Sequence, residues 1–134
     1  MFLYLLDEKE GIAFMELALQ AMKINGGSEE CVTAEYEAYL TELNLIDYNP
    51  GELTLEQAVD RFRKSTTQVK RSVIIELSSL LYADKEIDSK EMRWIYCLSD
   101  EFKMDRTETE RLVMWSKDFC DFMAVGLMYI NAKS

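Results

Sequence analysis

The chain contains no histidine, one proline, five glycines and three cysteines in 134 residues. Each scarcity excludes a class of protein. Without histidine there is no Ser–His or Cys–His nucleophilic pair, no Cys–His zinc finger and no Glu-x-x-His di-iron bundle. Cys31, Cys97 and Cys120 are odd in number and far apart, so they form no disulfide framework and are expected to be reduced, buried thiols. Little Gly and Pro with 49% apolar and 30% charged residues is the composition of a folded helical chain, not of a disordered one. Long apolar runs are missing too. "MFLYLL" at the start and "FMAVGLMYI" (122–130) fall far short of the roughly 20 residues a membrane helix needs. A soluble, cytoplasmic single domain spanning 1–134 is the expectation.

Basic residues are scarce in one half only. Residues 1–60 hold 13 acids and 2 bases, and residues 61–134 hold 12 acids and 13 bases, within a net charge of −10. Nucleic acid requires a basic face to release counterions, so no nucleic-acid partner is expected. Five of the fifteen bases fall in "RFRKSTTQVKR" (61–71), read as a solvated helix face.

What is present is helical periodicity throughout, with no two-residue alternation. Capping-box patterns mark helix starts at "DEKE" (7–10), "TLEQ" (54–57), "STTQ" (65–68), "DSKE" (88–91) and "DRTE" (105–108). Thr33 is a further candidate N-cap. The pattern predicts an all-α fold of six to seven helices, at 8–24, 33–44, 54–63, 66–84, 88–102, 106–115 and 117–131, the last two separate or one kinked helix. "NGGSEE" (25–30) and "DYNPG" (47–51) break the pattern as loops. Val69, Val73, Leu77, Leu80 and Leu81 line one helix face; Phe119, Phe122, Met123, Gly126, Leu127 and Ile130 line another.

An internal repeat is visible. Residues 14–45 and 74–104 each run as an apolar helix, a polar turn, one Val or Ile, and a second helix, with the first turn four residues longer. This predicts two helical hairpins related by a pseudo-two-fold around one core: repeat one at about 8–45, a linker at 46–53, repeat two at about 66–104, and C-terminal helices at 105–131.

The turn of the second repeat, "LLYADKEIDSKEMRWI" (80–95), crowds Asp84, Glu86, Asp88 and Glu91 into eight positions. An ordinary EF-hand is excluded: Ser89 and Ile95 stand where that loop needs Gly and a bidentate Glu. Two readings are open. Asp88 and Glu91 form a capping box, with Asp84 and Glu86 solvated beside it. Or Asp84, in phase with Leu77, Leu80 and Leu81 and so directed at the partner helix, converges with Glu91 on a hard cation, Ca²⁺, Mg²⁺ or Mn²⁺. Near the first turn Asn25, Glu29, Glu30, Glu35 and Glu37 form a looser counterpart.

The stretch Ala83-Asp84-Lys85-Glu86-Ile87-Asp88-Ser89-Lys90-Glu91 resembles the Ala-Asp-Gly-x-Ile-x-x-x-Glu pattern of the tellurite-resistance TerB-like domains, and the repeat plan is similar over roughly residues 5–115. The resemblance implies an all-helical pseudo-two-fold domain, a stress-response setting, and metal at Asp84 and Glu91 with Glu86 and Asp88 in support. No enzymatic activity is expected, because the chain has no His, no Gly-rich phosphate loop and no reactive Cys context. The family's Gly after the Asp is Lys85 here, and Ile24-Asn25-Gly26 replaces its Ala-Asp-Gly in the first repeat.

The C-terminal "FMAVGLMYI" is apolar on nearly every side. A helix of that kind is buried, either as a central core helix or against another chain. In the second case Phe122, Met123, Leu127 and Met128 are the contact residues, Met supplying adaptability, for an unidentified protein partner or a second copy in a homodimer.

Overall fold

A computed structural model describes residues 1–26 and 29–133, without the side chains of residues 29–32. Every regular element among them is helical. A 3-10 turn (Leu3–Leu5) precedes α1 (Glu8–Asn25), α2 (Glu29–Glu42), α3 (Leu55–Arg63) and α4 (Thr67–Leu81). A second 3-10 turn (Tyr82–Asp84), α5 (Ser89–Glu101) and α6 (Arg106–Asn131) complete the chain. None of these helices is long and apolar enough to cross a membrane.

Three predicted capping boxes form as drawn, at Asp7/Glu10, Thr54/Gln57 and Asp88/Glu91. The other two differ. At α4 the cap is Thr66, one residue later, accepting from the Val69 N–H, while the Ser65 hydroxyl turns away to donate to Glu10. At α6 Asp105 accepts from the Thr107 N–H, and Glu108 is drawn off to Arg71. Thr33 is no cap at all, because α2 already begins at Glu29. The early start also removes the four-residue difference between the two turns.

Hairpin α1–α2 and hairpin α4–α5 end their helices alike. Gly26 (φ 70°) and Lys85 (φ 71°) take the left-handed conformation after the first helix of each hairpin. Asn44 and Lys103, both at φ 58°, do so after the second. Each pair is 59 residues apart. The second pair carries the same Schellman bonds. Leu45 N–H donates to Leu40 O and Asn44 N–H to Thr41 O; Met104 N–H donates to Ser99 O and Lys103 N–H to Asp100 O.

The core is built around α1 and α4. Phe14, Met15 and Leu17 of α1 and Val73, Ile74, Leu77 and Leu81 of α4 are buried in one cluster with Phe62, Ile95 and Phe102. The predicted α4 face, Val69 to Leu81, is buried throughout. The 47–51 loop is tied to α1 by buried Glu16, whose carboxylate accepts from the Tyr48 hydroxyl (2.5 Å) and the Gly51 N–H (2.8 Å). In the basic stretch, Arg63 pairs with Glu56, Asp60 and Glu101, and Arg71 with Glu108, so those charges are neutralised locally.

The C-terminal region departs most from expectation. Residues 106–131 form one continuous helix of 26 residues, the single-helix alternative of the two the sequence left open. It lies parallel to α4, fastened at successive levels: Arg71 to Glu108, the Ser116 hydroxyl to the Ile75 carbonyl (2.9 Å), and the Tyr82 hydroxyl to Asp121 (3.0 Å). Tyr82 belongs to the turn that ends α4. Beyond Asp121 the side chains of α6 are mostly exposed, and the ten residues 122–131 extend about 15 Å further. "FMAVGLMYI" is therefore not the central core helix that its composition suggested.

Candidate functional site

Two regions were singled out by sequence, the acidic turn and the apolar end of α6. The structure brings them together at Asp121. Its carboxylate accepts from the Tyr82 hydroxyl and lies 3.9 Å from the Lys85 ammonium. Lys85 and Lys117 also sit over the Tyr82 ring, 5.8 and 5.7 Å from its centroid. The turn thus clamps α6 at the point where the helix leaves the body.

Within the turn the four carboxylates take separate tasks. Asp84 is exposed and accepts from the Glu86 N–H at 3.2 Å. It does not face the partner helix: the helix tightens to 3-10 geometry at Tyr82, which shifts the phase, and Tyr82 takes the inward position. Glu86 is exposed. Asp88 accepts from the Glu91 N–H at 2.8 Å, and Glu91 Oε1 accepts from the Asp88 N–H at 3.2 Å, completing the box.

Glu91 alone is turned inward, at 3% exposure, and its Oε2 has no hydrogen-bond partner. Burial pushes its carboxyl above the ordinary glutamate range. The capping N–H pulls it back, and the neighbouring Asp88 and Asp84 carboxylates push it up further. Among the described residues no three Asp, Glu or Cys side chains converge as the ligands of a metal ion would. The counterpart at the first turn falls partly outside the described residues, since the side chains of Glu29 and Glu30 are not described. Cys31 is likewise outside them. Cys97 is exposed and Cys120 half-buried, so neither is the fully buried thiol expected.

The projecting end of α6 presents the largest apolar surface. Phe122 is 80% exposed, Met128 71%, and Tyr129 and Ile130 78% each. Met123, Val125 and Leu127 are about half exposed. All four predicted contact residues, Phe122, Met123, Leu127 and Met128, lie here. Sequence reasoning missed two members of the same exposed surface nearer the body, Met114 and Trp115. Trp115 stacks on Phe119 (centroids 5.3 Å apart, planes 14° apart) and touches Phe2. The four-residue spacing of Trp115 and Phe119 was the available signal.

Comparisons with protein families, with characterised proteins and with solved structures find no match to this chain.

Proposed function

We propose that this protein is a non-enzymatic helical assembly module that associates with a second copy of itself through the projecting end of α6. The observation that carries the reading is the uncovered stretch 122–130. Seven apolar side chains there leave roughly 800–900 Å² open to water, taking groups of this size at about 150–250 Å² each when fully exposed. The largest apolar patch on an ordinary monomer is about 300–600 Å², whereas a stable interface takes about 800 Å² from each partner. The surface exceeds what an ordinary monomer leaves open, and a second copy laid along one face of the helix covers part of it. The stretch carries no charge that would oppose the approach of another copy, despite the net charge of −10.

The same reading gives the acidic turn a task. Tyr82 holds Asp121 and so sets the direction in which the docking helix leaves the body. The matched αL terminations 59 residues apart further support reading the two hairpins as a pseudo-two-fold pair of TerB-like type, with α3 connecting them and α6 as the added working element.

Sedimentation velocity over a range of concentrations tests the assembly, on wild type and on a Phe122→Lys/Leu127→Lys variant. The expected result is a wild-type dimer and a monomeric variant whose melting midpoint stays close to that of the wild-type body. A wild-type chain that remains monomeric at its highest soluble concentration would sink the proposal.

A further inference from the structure

We infer that the two copies pair α6 against α6 in antiparallel orientation, with Phe122 of each copy seated over Gly126 of the other. This rests on the self-association just proposed and specifies how the copies meet.

Trp115, Phe119, Phe122, Gly126 and Tyr129 follow one another at spacings of four, three, four and three residues. That alternation is the seam of a two-helix coiled coil. The residues by which α6 is buried in its own body, Thr109, Val113 and Ser116, lie about a third of a turn away round the helix. Trp115 touches Phe2 of the body and stacks on half-buried Phe119, whereas Phe122 and Tyr129 are open, so the outer part of the seam is free while the body face is occupied. Lys117, Asp118 and Asp121 fall outside it, and Asp121 is visibly turned to the Tyr82 side. The seam is uncharged from Trp115 to Tyr129.

Gly126 decides the orientation. It stands inside a helix, where glycine is unfavourable, and a Cβ added there would meet no atom within 4 Å. Nothing in its own chain calls for the missing side chain. In an antiparallel pair the layers join each seam residue to its opposite type: Phe119 with Tyr129 of the second copy, Phe122 with Gly126, and Gly126 with Phe122. In the two central layers the Phe122 ring of each copy then fills the hollow that Gly126 leaves in the other, and at the ends Phe119 lies against Tyr129. Parallel pairing would instead set Gly126 against Gly126 and Phe122 against Phe122, one layer void and the next overfilled. The surface is complementary to itself only when one copy is reversed, as a two-fold isologous contact requires.

Site-directed disulfides test the register in the full chain. On a background with Cys31, Cys97 and Cys120 replaced by Ser, Phe119→Cys and Tyr129→Cys are oxidised separately and as a mixture. Phe122→Cys with Gly126→Cys serves as a second pair, and helix content and melting are followed for each variant. The expected result is a covalent dimer that forms mainly in the mixtures, joining 119 to 129 and 122 to 126. Covalent dimers forming as readily in each single variant would mean a parallel pair and overturn the inference. So would a chain that sediments as a dimer yet forms no disulfide at either pair, since another face would then be in use. A wild-type monomer would instead refute the self-association reading itself, and the register with it.

Discussion

Gly126→Ala separates the stability of the chain from the stability of its assembly, because the two should move in opposite directions. In a helix interior, alanine is favoured over glycine by up to about 1 kcal/mol. Gly126 lies within the last turns of α6, where fraying discounts the gain, so about 0.5–1 kcal/mol is expected. The new methyl meets open space, with nothing to clash against. In a domain of 134 residues this corresponds to a rise in melting midpoint of roughly 2–5 °C. In the antiparallel pair the same methyl enters the hollow beneath Phe122 of the second copy, and does so twice. Overpacking typically costs 1–3 kcal/mol, so dimer dissociation should become at least about tenfold easier. Melting by circular dichroism at low concentration reads the first effect, and sedimentation across a concentration series reads the second. A dimer unchanged or tightened by Gly126→Ala would refute the assignment of Phe122 to that hollow. A lowered midpoint in the dilute chain would refute the claim that position 126 is open.

Three further outcomes follow from the packing. Glu91→Gln keeps the capping box, since Gln serves at that position, and removes the buried ionisable group. Because the folded carboxyl is held above its unfolded value, the stability it contributes is complete below the unfolded pKa and is lost as pH rises through the folded one. The Gln variant should therefore lose less stability than wild type as pH rises through and above the ordinary glutamate range; parallel curves in chemical denaturation would show that burial does not raise the Glu91 carboxyl. Lys85→Gly should stabilise by about 1 kcal/mol, because φ 71° strains a residue with a side chain and the exposed Lys85–Asp121 pair at 3.9 Å is worth little. A fall in melting midpoint would mean that the ion pair and ring contact outweigh the strain. Glu16→Ala leaves the Tyr48 hydroxyl and Gly51 N–H without their acceptor and should cost about 2–3 kcal/mol, with hydrogen exchange accelerated in the 47–51 loop; unchanged exchange there would show that Glu16 does not hold it.

The helices and their order were legible in the sequence, because helix starts are written locally. Asp7, Thr54 and Asp88 each need only a Glu or Gln three residues on to cap a helix, and all three do so. The buried face of α4 was equally plain, since a period of 3.6 residues survives in any helical context. Where the sequence misled, a distant group had intervened. Ser65 abandons its cap for Glu10, and Glu108 leaves Asp105 for Arg71, 37 residues away in the chain. Asp84 was misplaced because a single tightened turn at Tyr82 rotates everything after it, a choice set by how Tyr82 packs against α6.

The candidate site divides in the same way. Composition by itself marked residues 122–130 as a stretch that gains by being covered, because an uncharged apolar helix gains so much from leaving water. It could not tell a core helix from one that stands outside the body. Those alternatives differ only in the length of α4 relative to α6 once the two lie side by side. The tertiary structure decided between them: α4 and its closing turn end at Asp84, the last bond to α6 is made at Asp121, and the apolar end of α6 begins one residue later.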